Sequence, residues 1–379
     1  MTVLLLIGCA EPGRDGVGDY SRRLAAAMTD RGIRTVIVAT HDKFTTALRR
    51  ENQAAGTQSV PVVRIPQGAE GGQRAALIGA ALDRERPDWV SFQYVPYSFQ
   101  PKGIPLGFLR RLAPLLTSYR THVMFHECWV GITKASPWKH HLTGFFQRGV
   151  VKHFLAAVSP ELITTSNELY RAVLGRAGIP AELLPLFSNI EVARQPTAPF
   201  AGPHAALLNT PGDQLRDRYL IAGIFGSIYP QLDLGAELPR LLGRARESGR
   251  QLLLIAFGRA GADGIARLRE AAASADDALL LAVLGELDEA QVSAVLSKLE
   301  VALSCTPRQH LGKSGVFAAM RLHGVEVISS VDEPLPEYTE LIETATAELY
   351  ARAPQEWSVA GVADRFLSQL VTEQNQPQP

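Results

Sequence analysis

Apolar residues occur along this chain in short continuous runs, and segments with helical periodicity separate the runs. Near the N-terminus, apolar runs at 3–9 and 33–40 flank a helical segment at 19–31. The same alternation continues through the first half, restarts at residue 220 and ends with a run at 325–329. Continuous runs indicate strands that are covered on both faces, and therefore parallel sheets with crossover helices. The pattern predicts an α/β fold.

The periodicity is lost at 191–213, where several prolines and small residues indicate a linker or hinge. A chain of 379 residues is long enough for two domains. We therefore expect two doubly wound, Rossmann-like parallel-sheet domains facing a cleft, at 1–190 and 214–352, with the ligand site in the cleft. A final helix at 353–373 could cross back to the first domain, and we expect a disordered tail at 374–379.

Composition and charge narrow the class of protein only slightly. Hydrophobic residues make up 46 % and charged residues 20 %, and Lys+Arg and Asp+Glu are 38 each, so the overall charge does not indicate a nucleic-acid partner. Three scattered cysteines favour reduced thiols and exclude a disulfide framework, and their spacing gives no zinc site. No segment approaches the ~20 apolar residues of a membrane span, and the N-terminus lacks a signal-peptide pattern. We expect a soluble, cytoplasmic protein, and attachment to the inner face of a membrane stays open.

A candidate anion site follows the apolar run at 301–304. A loop with Arg308 comes next, and a segment with helical periodicity then opens with Gly312, Lys313, Ser314 and Gly315. The first N–H groups of a helix lack internal partners and carry partial positive charge, so they bind phosphate well. Lys313, Arg308 and the Ser314 hydroxyl would add to this cradle.

This segment has two other interpretations. A nucleoside-triphosphatase phosphate loop needs glycine five residues before Gly312, where Pro307 stands and removes a backbone donor. A plain helix start, with Ser314 as a cap and Lys313 solvated, stays open.

A second candidate is the glycine-rich loop after the first strand, with Gly16, Val17, Gly18 and Asp19. Its loop of about ten residues and Ser21 fit a dinucleotide fingerprint poorly. We favour a loop that faces the cleft, because glycine lets the backbone approach a ligand closely. A purely structural loop remains an alternative.

A third candidate is His126 with Glu127, at the end of a predicted strand at 122–127. His126 could donate a hydrogen bond to a substrate hydroxyl, and Glu127 could act as a base. A histidine is, however, often only a satisfied core or surface residue.

The segment 128–160 has no acidic residue, but cations and aromatic residues alternate in it. Three interpretations remain open: a loop with a solvated helix face, a patch for an anionic acceptor or membrane surface, and a nucleic-acid groove. The residues concerned are Lys134, Lys139, Arg148 and Lys152, with His140, His141 and His153, and the interleaved Trp129, Trp138, Phe145 and Phe146.

Taken together, these motifs resemble the GT-B-fold glycosyltransferases, particularly the retaining nucleotide-sugar enzymes classed as family four. The resemblance covers most of the chain, in the family's order and spacing, at 16–25, 87–94, 125–127, 224–230, 284–287 and 315–328. It implies transfer of a sugar from a nucleoside diphosphate sugar to an acceptor hydroxyl, with no bound metal and no further cofactor. The acceptor would be a glycan, a lipid-linked molecule or a small molecule, and no nucleic acid is expected.

The motifs and the resemblance together give the residues expected roles. Gly312, Lys313, Ser314 and Gly315 would hold the diphosphate, with Arg308 and Ser227. His310 and Glu286 would lie at the donor sugar or nucleotide. His126 would position the sugar or acceptor, and Glu127 would be the base if the stereochemistry is inverted.

The chain departs from the family's pattern at four positions. The family's two glutamates correspond to His310 and Ala318, and its diphosphate-binding Arg and Lys fall near Ser227 and Leu232. We expect Lys313 and Arg308 to compensate for the lost charge. A same-fold epimerase or hydrolase, or a non-catalytic binding protein, is the alternative, and the oligomeric state is not predicted.

Overall fold

The computed structural model describes residues 1–193, 199–275, 278–333 and 335–372. The predicted tail at 374–379 and part of the predicted hinge lie outside these ranges. The chain divides into two compact units, Met1–Pro185 with Val359–Pro379, and Leu186–Ser358. The final helix therefore belongs to the first unit. The hinge prediction itself stays a prediction.

The first unit is built on an eight-stranded sheet in the order β3-β4-β2-β1-β5-β6-β7-β8. The strands are β1 (Thr2–Ile7), β2 (Arg34–Asp42), β3 (Arg49–Ala55), β4 (Gln58–Pro66), β5 (Trp89–Tyr94), β6 (Arg120–Phe125), β7 (Leu162–Thr165) and β8 (Glu182–Leu183). The helices are α1 (Gly16–Thr29), α2 (Gly71–Glu85), α3 (Pro96–Phe99), α4 (Leu106–Leu116), α5 (Trp138–Val158) and α6 (Glu168–Arg176), and the last helix of the chain, α14 (Val359–Thr372).

One strand of this sheet departs from the predicted parallel pattern. β3 pairs antiparallel with β4, as the other arm of a hairpin, whereas β4 pairs parallel with β2. The sequence of β3, RRENQAA, has no apolar run. As an edge strand it buries little, so its pairing depends on the hairpin and not on burial of two faces.

The second unit contains a five-stranded sheet, all parallel, in the order β11-β10-β9-β12-β13. The strands are β9 (Tyr219–Phe225), β10 (Gln251–Phe257), β11 (Leu279–Gly285), β12 (Val301–Leu303) and β13 (Glu326–Ile328). The helices are α7 (Ala205–Asn209), α8 (Gly212–Arg216), α9 (Leu234–Glu247), α10 (Ala262–Ala273), α11 (Glu289–Leu296), α12 (Gly315–Leu322) and α13 (Thr339–Ala351), with a 3-10 helix at Arg308–Lys313.

Strand β10 shows why a continuous apolar run specifies a covered strand. Leu253, Ile255 and Phe257 pack into one hydrophobic cluster. The alternate residues Leu252 and Leu254 pack into a second cluster. Successive side chains of a strand point to opposite faces, so the two clusters lie on the two faces of the sheet. The predicted doubly wound α/β fold is confirmed for both units.

In the described part of the chain, every helix is too short or too polar to cross a bilayer.

Candidate functional site

The glycine-rich loop leads from β1 into α1, and its own carboxylates hold it. The Asp15 side chain caps α1 by accepting a hydrogen bond from the Gly18 N–H at 2.8 Å. Asp19 accepts one from the Gly13 N–H at 3.0 Å and pairs with Arg22. Burial raises the pKa of Asp15. The carboxylate of Asp15 thus already lies at the N-terminus of α1, where the helix carries partial positive charge.

Gly18 has a structural reason to be glycine. A Cβ at this position would lie 2.6 Å from the Cys9 carbonyl oxygen, so a larger residue would push α1 away from the end of β1. A Cβ on Gly16 would meet no atom of the described residues within 4 Å. A binding role for Gly16, Val17, Gly18 and Asp19 stays a prediction.

His126 lies directly after β6, where a chain of buried hydrogen bonds ends. Its Nε2 is 2.7 Å from Gln93 Oε1. Gln93 Nε2 donates to Ser91 Oγ at 2.7 Å, and Ser91 Oγ is 2.8 Å from His122 Nδ1. His122 Nε2 is in turn 2.8 Å from the Thr164 hydroxyl. This series of hydrogen bonds crosses three neighbouring strands, β5, β6 and β7.

The hydrogen bond of Thr164, at the end of this network far from His126, fixes which group donates in each hydrogen bond. Thr164 donates its hydroxyl hydrogen to the Met124 sulfur at 2.9 Å, so it can only accept from His122 Nε2. His122 Nδ1 then accepts from Ser91, and Ser91 accepts from Gln93. The Gln93 oxygen is left to accept from His126 Nε2–H. If every hydrogen bond ran the other way, Thr164 would donate its only hydroxyl hydrogen to His122, and none would remain for the Met124 sulfur.

His126 therefore presents an acceptor and not a donor. With the hydrogen on Nε2, its Nδ1 carries a lone pair. Burial lowers the pKa of His126 to about 3, so the ring is neutral near pH 7. Burial, with the nearby His126, does the same for His122. The expected hydrogen bond from His126 to a substrate hydroxyl is thus reversed: the hydroxyl would donate to Nδ1.

Asn167 is a candidate that the sequence pattern did not identify. It follows β7, and its Oδ1 caps α6 by accepting from the Tyr170 N–H at 2.9 Å. Its Nδ2 is buried and has no hydrogen-bond partner among the described residues. The register pairs Phe125 with Thr165, so Asn167 lies at the same sheet edge as Glu127. A polar residue between a strand and a helix is the sequence signal that could have pointed to it.

In the second unit, glycines line the carboxyl edge of the sheet. The Gly226 N–H donates to the Phe257 oxygen at 2.9 Å, and the Gly258 N–H to the Gly285 oxygen at 2.7 Å. Gly258 has φ +85°, a conformation that favours glycine, and a Cβ there would lie 3.2 Å from the Gly226 nitrogen. The two loops therefore pack closely at this edge, and glycine keeps side chains out of the space between them.

Ser227 and Glu286 lie at this edge, and Arg259 lies with them. Ser227 Oγ donates to the Arg259 carbonyl oxygen at 3.3 Å. The Arg259 guanidinium pairs with Glu286 at 3.1 Å, and both side chains are exposed. Arg259 was not identified from the sequence, since a single arginine after a strand has no distinctive spacing.

The predicted anion cradle is the start of α12. Helix α12 begins at Gly315, and Ser314 caps it by accepting from the Phe317 N–H at 3.2 Å. Ser314 Oγ is also 3.1 Å from Thr306 Oγ1. The structural interpretation of Ser314 as a cap is therefore correct. The amides of Gly315 and Val316 open the helix and have no intrahelical acceptor, so they can serve an anion.

The segment before Ser314 is not the loop that was expected. Gly312 and Lys313 end the 3-10 helix Arg308–Lys313. A Cβ on Gly315 would lie 3.9 Å from Asn189 Nδ2, so an amide donor lies close to the start of α12. A Cβ on Gly226 would lie 3.5 Å from Val316, so the loop after β9 borders the same helix start.

The charges around the cradle are partly offset. Arg308 pairs with Asp332. Burial, with the charge of Lys313, lowers the pKa of His310 to about 4, which also places Lys313 near this ring. His310 Nε2 is 4.0 Å from Glu333. Because the ring is neutral near pH 7, this contact is not an ion pair at that pH.

The second unit thus brings Ser227, Arg259, Ser314 and Gly315 to one edge of its sheet. The first unit places His126, Glu127 and Asn167 at an edge of its own. Within the described ranges, no three histidine, cysteine, aspartate or glutamate residues are arranged to hold a metal ion.

Comparison with known proteins agrees with this fold. Residues 15–189 match the model of the glycosyl transferase 4-like domain. The structure resembles HepE of Anabaena, solved with UDP-glucose, with a TM-score of 0.54 at 14 % identity over 98 % of this chain and 100 % of that one. It resembles a glycosyltransferase of Rickettsia africae with a TM-score of 0.55 at 10 % identity over 99 % of each chain.

A third solved structure of the same fold carries a different name. A putative UDP-N-acetylglucosamine 2-epimerase of Listeria monocytogenes gives a TM-score of 0.51 at 13 % identity, over 100 % of this chain and 97 % of that one. Identities this low establish the GT-B fold and not the reaction. No curated protein sequence matches the chain significantly.

Proposed function

We propose that this chain, whose residues 15–189 match the model of the glycosyl transferase 4-like domain, transfers a sugar from a nucleoside diphosphate sugar to an acceptor hydroxyl. The observation that carries the proposal is the start of α12 beside the glycine-lined sheet edge. Two helix amides without an intrahelical acceptor, the Ser227 hydroxyl and the cations Lys313 and Arg259 belong to this edge of the sheet, and donors and cations of this kind suit a diphosphate.

The diphosphate is held without a metal ion. The amides of Gly315 and Val316 donate hydrogen bonds to phosphate oxygens, Ser227 turns its hydroxyl from the Arg259 carbonyl oxygen to them, and Lys313 and Arg259 balance part of their charge. Arg308 and Arg259 each contribute less than a full charge, because Asp332 offsets the charge of Arg308 and Glu286 offsets that of Arg259. Fixed donors and cations of this kind stabilise the charge that develops on a departing diphosphate.

His126 and Glu127 have different roles in the transfer. A base with a pKa of about 3 holds almost no proton at pH 7, so His126 orients a sugar or acceptor hydroxyl by accepting its hydrogen bond. Glu127 takes the proton of the attacking hydroxyl if the configuration is inverted. The hydroxyl oxygen bonds to the anomeric carbon, and the bond from that carbon to the diphosphate breaks with both electrons on the diphosphate.

A nucleotide-binding measurement tests the proposal. A thermal-shift screen with uridine, guanosine, thymidine, adenosine and cytidine diphosphates identifies the base, since a ligand stabilises in proportion to the logarithm of its concentration over Kd. UDP is the first choice, given HepE's UDP-glucose. We expect Lys313→Ala to weaken the best diphosphate by about 1.5–3 kcal/mol, roughly 10- to 150-fold, in calorimetry.

Lys102→Ala, in the first unit, is the matched control and should leave the affinity unchanged. An unaltered affinity of Lys313→Ala would remove Lys313 from the cradle. Turnover of a donor without acceptor would favour an epimerase or hydrolase. Binding with no turnover across a broad donor and acceptor screen would favour a non-catalytic protein, which the replacement of both family glutamates motivates.

A further inference from the structure

Helix α5 leaves large apolar side chains in solvent. Trp138, Leu142, Phe145 and Phe146 are 69, 51, 60 and 51 % exposed. On the inner side of the same helix, a Cβ on Gly144 would lie 1.9 Å from the Val130 oxygen, so α5 is held tightly against the loop before it. The helix is therefore anchored by one side while aromatic residues cover the other.

The four apolar side chains form one stripe. Each residue turns an α-helix by about 100°, so positions 138, 142, 145 and 146 fall within an arc of roughly 100°. The buried positions of α5, among them Gln147, Val151 and Phe154, centre on the opposite side. We call the stripe of Trp138, Leu142, Phe145 and Phe146 the α5 aromatic face.

Cations border this face. Lys139 Nζ is 5.9 Å from the centre of the Trp138 ring, and the Arg148 guanidinium is 6.0 Å from that of Phe145. Lys152 is exposed one turn beyond Arg148. No aspartate or glutamate occurs from residue 128 to residue 160, so no acidic residue of this segment offsets these charges.

This combination distinguishes between possible occupants. Exposed aromatic residues of this size mark an interaction surface, because isolated soluble proteins seldom expose them together. A helix with an aromatic stripe between cations has the form that lies in the plane of a membrane interface. A strand of nucleic acid would instead follow a groove with stacked bases, whereas this stripe projects outward from a convex helix.

We propose that the α5 aromatic face docks on a membrane surface that contains anionic phospholipid. The rings of Trp138, Phe145 and Phe146 enter the region between headgroups and acyl chains. Lys139, Arg148 and Lys152 contact lipid phosphates. The docking is independent of the proposed transfer reaction, and it would bring the first unit to lipid-linked acceptors.

Vesicle binding by the full chain is the test. Sedimentation compares vesicles of phosphatidylcholine alone with vesicles that contain about 30 % phosphatidylglycerol, at low and high salt. We expect binding to the anionic vesicles, a loss of binding at 1 M salt, where the Debye length is about 3 Å, and a blue shift of tryptophan emission that Trp138→Phe abolishes.

Two variants and a control separate the contributions. The double variant Phe145→Ser/Phe146→Ser should reduce the partition coefficient by about tenfold or more, and Lys139→Glu/Arg148→Glu should abolish the preference for anionic vesicles. Phe44→Ser is the control, since Phe44 is exposed in the same unit with Lys43 beside its ring. Unchanged melting shows that each variant folds.

Three outcomes would overturn the proposal: no binding to anionic vesicles, equal binding to both vesicle types, or an equal loss in Phe44→Ser. A dimer in light scattering that disappears in Phe145→Ser/Phe146→Ser would assign the face to self-association instead.

Discussion

Replacing Gln93 by glutamate tests the hydrogen-bond chain that ends at His126. In the native chain the Gln93 oxygen accepts from His126 Nε2–H at 2.7 Å, and burial keeps the pKa of His126 at about 3. Gln93→Glu preserves the acceptor for His126, replaces the amide donor to Ser91 by a carboxylate oxygen, to which Ser91 must then donate, and adds a negative charge. The carboxylate stabilises the protonated ring, so the pKa of His126 must rise.

The size of the shift follows from Coulomb's law. Opposite charges about 4 Å apart, at an effective dielectric constant of about 20, attract by about 4 kcal/mol. One pKa unit corresponds to about 1.4 kcal/mol, so the pKa of His126 should rise by about 3 units, to about 6. A protonated Nδ1 cannot accept a hydrogen bond. The acidic limb of kcat/KM should therefore move up to near pH 6, while activity at pH 8 changes less.

Histidine NMR spectra measure this directly. The nitrogen shifts of the native protein should show His126 with its hydrogen on Nε2, and a titration of Gln93→Glu should give the raised pKa. His41, whose pKa burial also lowers to about 3, is the internal control and should not move. A native ring protonated on Nδ1, or a pKa that stays near 3 in Gln93→Glu, would refute the assigned direction of the chain.

Two further substitutions test the packing and the cradle. Gly18→Ala places a Cβ 2.6 Å from the Cys9 oxygen and should destabilise the protein by about 1–3 kcal/mol in denaturant unfolding. Gly16→Ala is the control, because its Cβ would point into open space and should change stability little. Equal effects of the two substitutions would contradict the close approach of α1 to the end of β1. Ser314→Ala removes the cap on the Phe317 N–H and should cost about 1 kcal/mol, and Ser314→Gly only a few tenths; a larger loss for glycine would show that the cap is not the reason.

The sequence predicts those parts of the fold that depend on burial and on local helix signals. The apolar run of β10 is read correctly, because both of its faces are buried. The start of α12 is also predicted, since glycine and serine before a periodic segment are local signals. Strand β3 is not predicted, because its polar sequence gains little from burial and its place depends on a hairpin.

The candidate site is predicted less completely than the fold. The candidate residues follow strands or open a helix, and the sequence locates these points well, as at His126 after β6 and at Gly315 at the start of α12. Partners that are distant in sequence decide what each group can do. Gln93, on a neighbouring strand, fixes the orientation of the His126 ring, and Asp332, 24 residues away, forms an ion pair with Arg308. Such pairings depend on the order of strands in the sheet and on side-chain rotamers, and the spacing of residues in the sequence predicts neither.

A crystal structure of the chain with bound UDP, or with the diphosphate selected in the thermal-shift screen, tests the central claim most directly. We expect phosphate oxygens about 3 Å from the backbone nitrogens of Gly315 and Val316, with Lys313 or Arg259 beside them. A diphosphate bound away from the start of α12, with these amides facing only water, would contradict it.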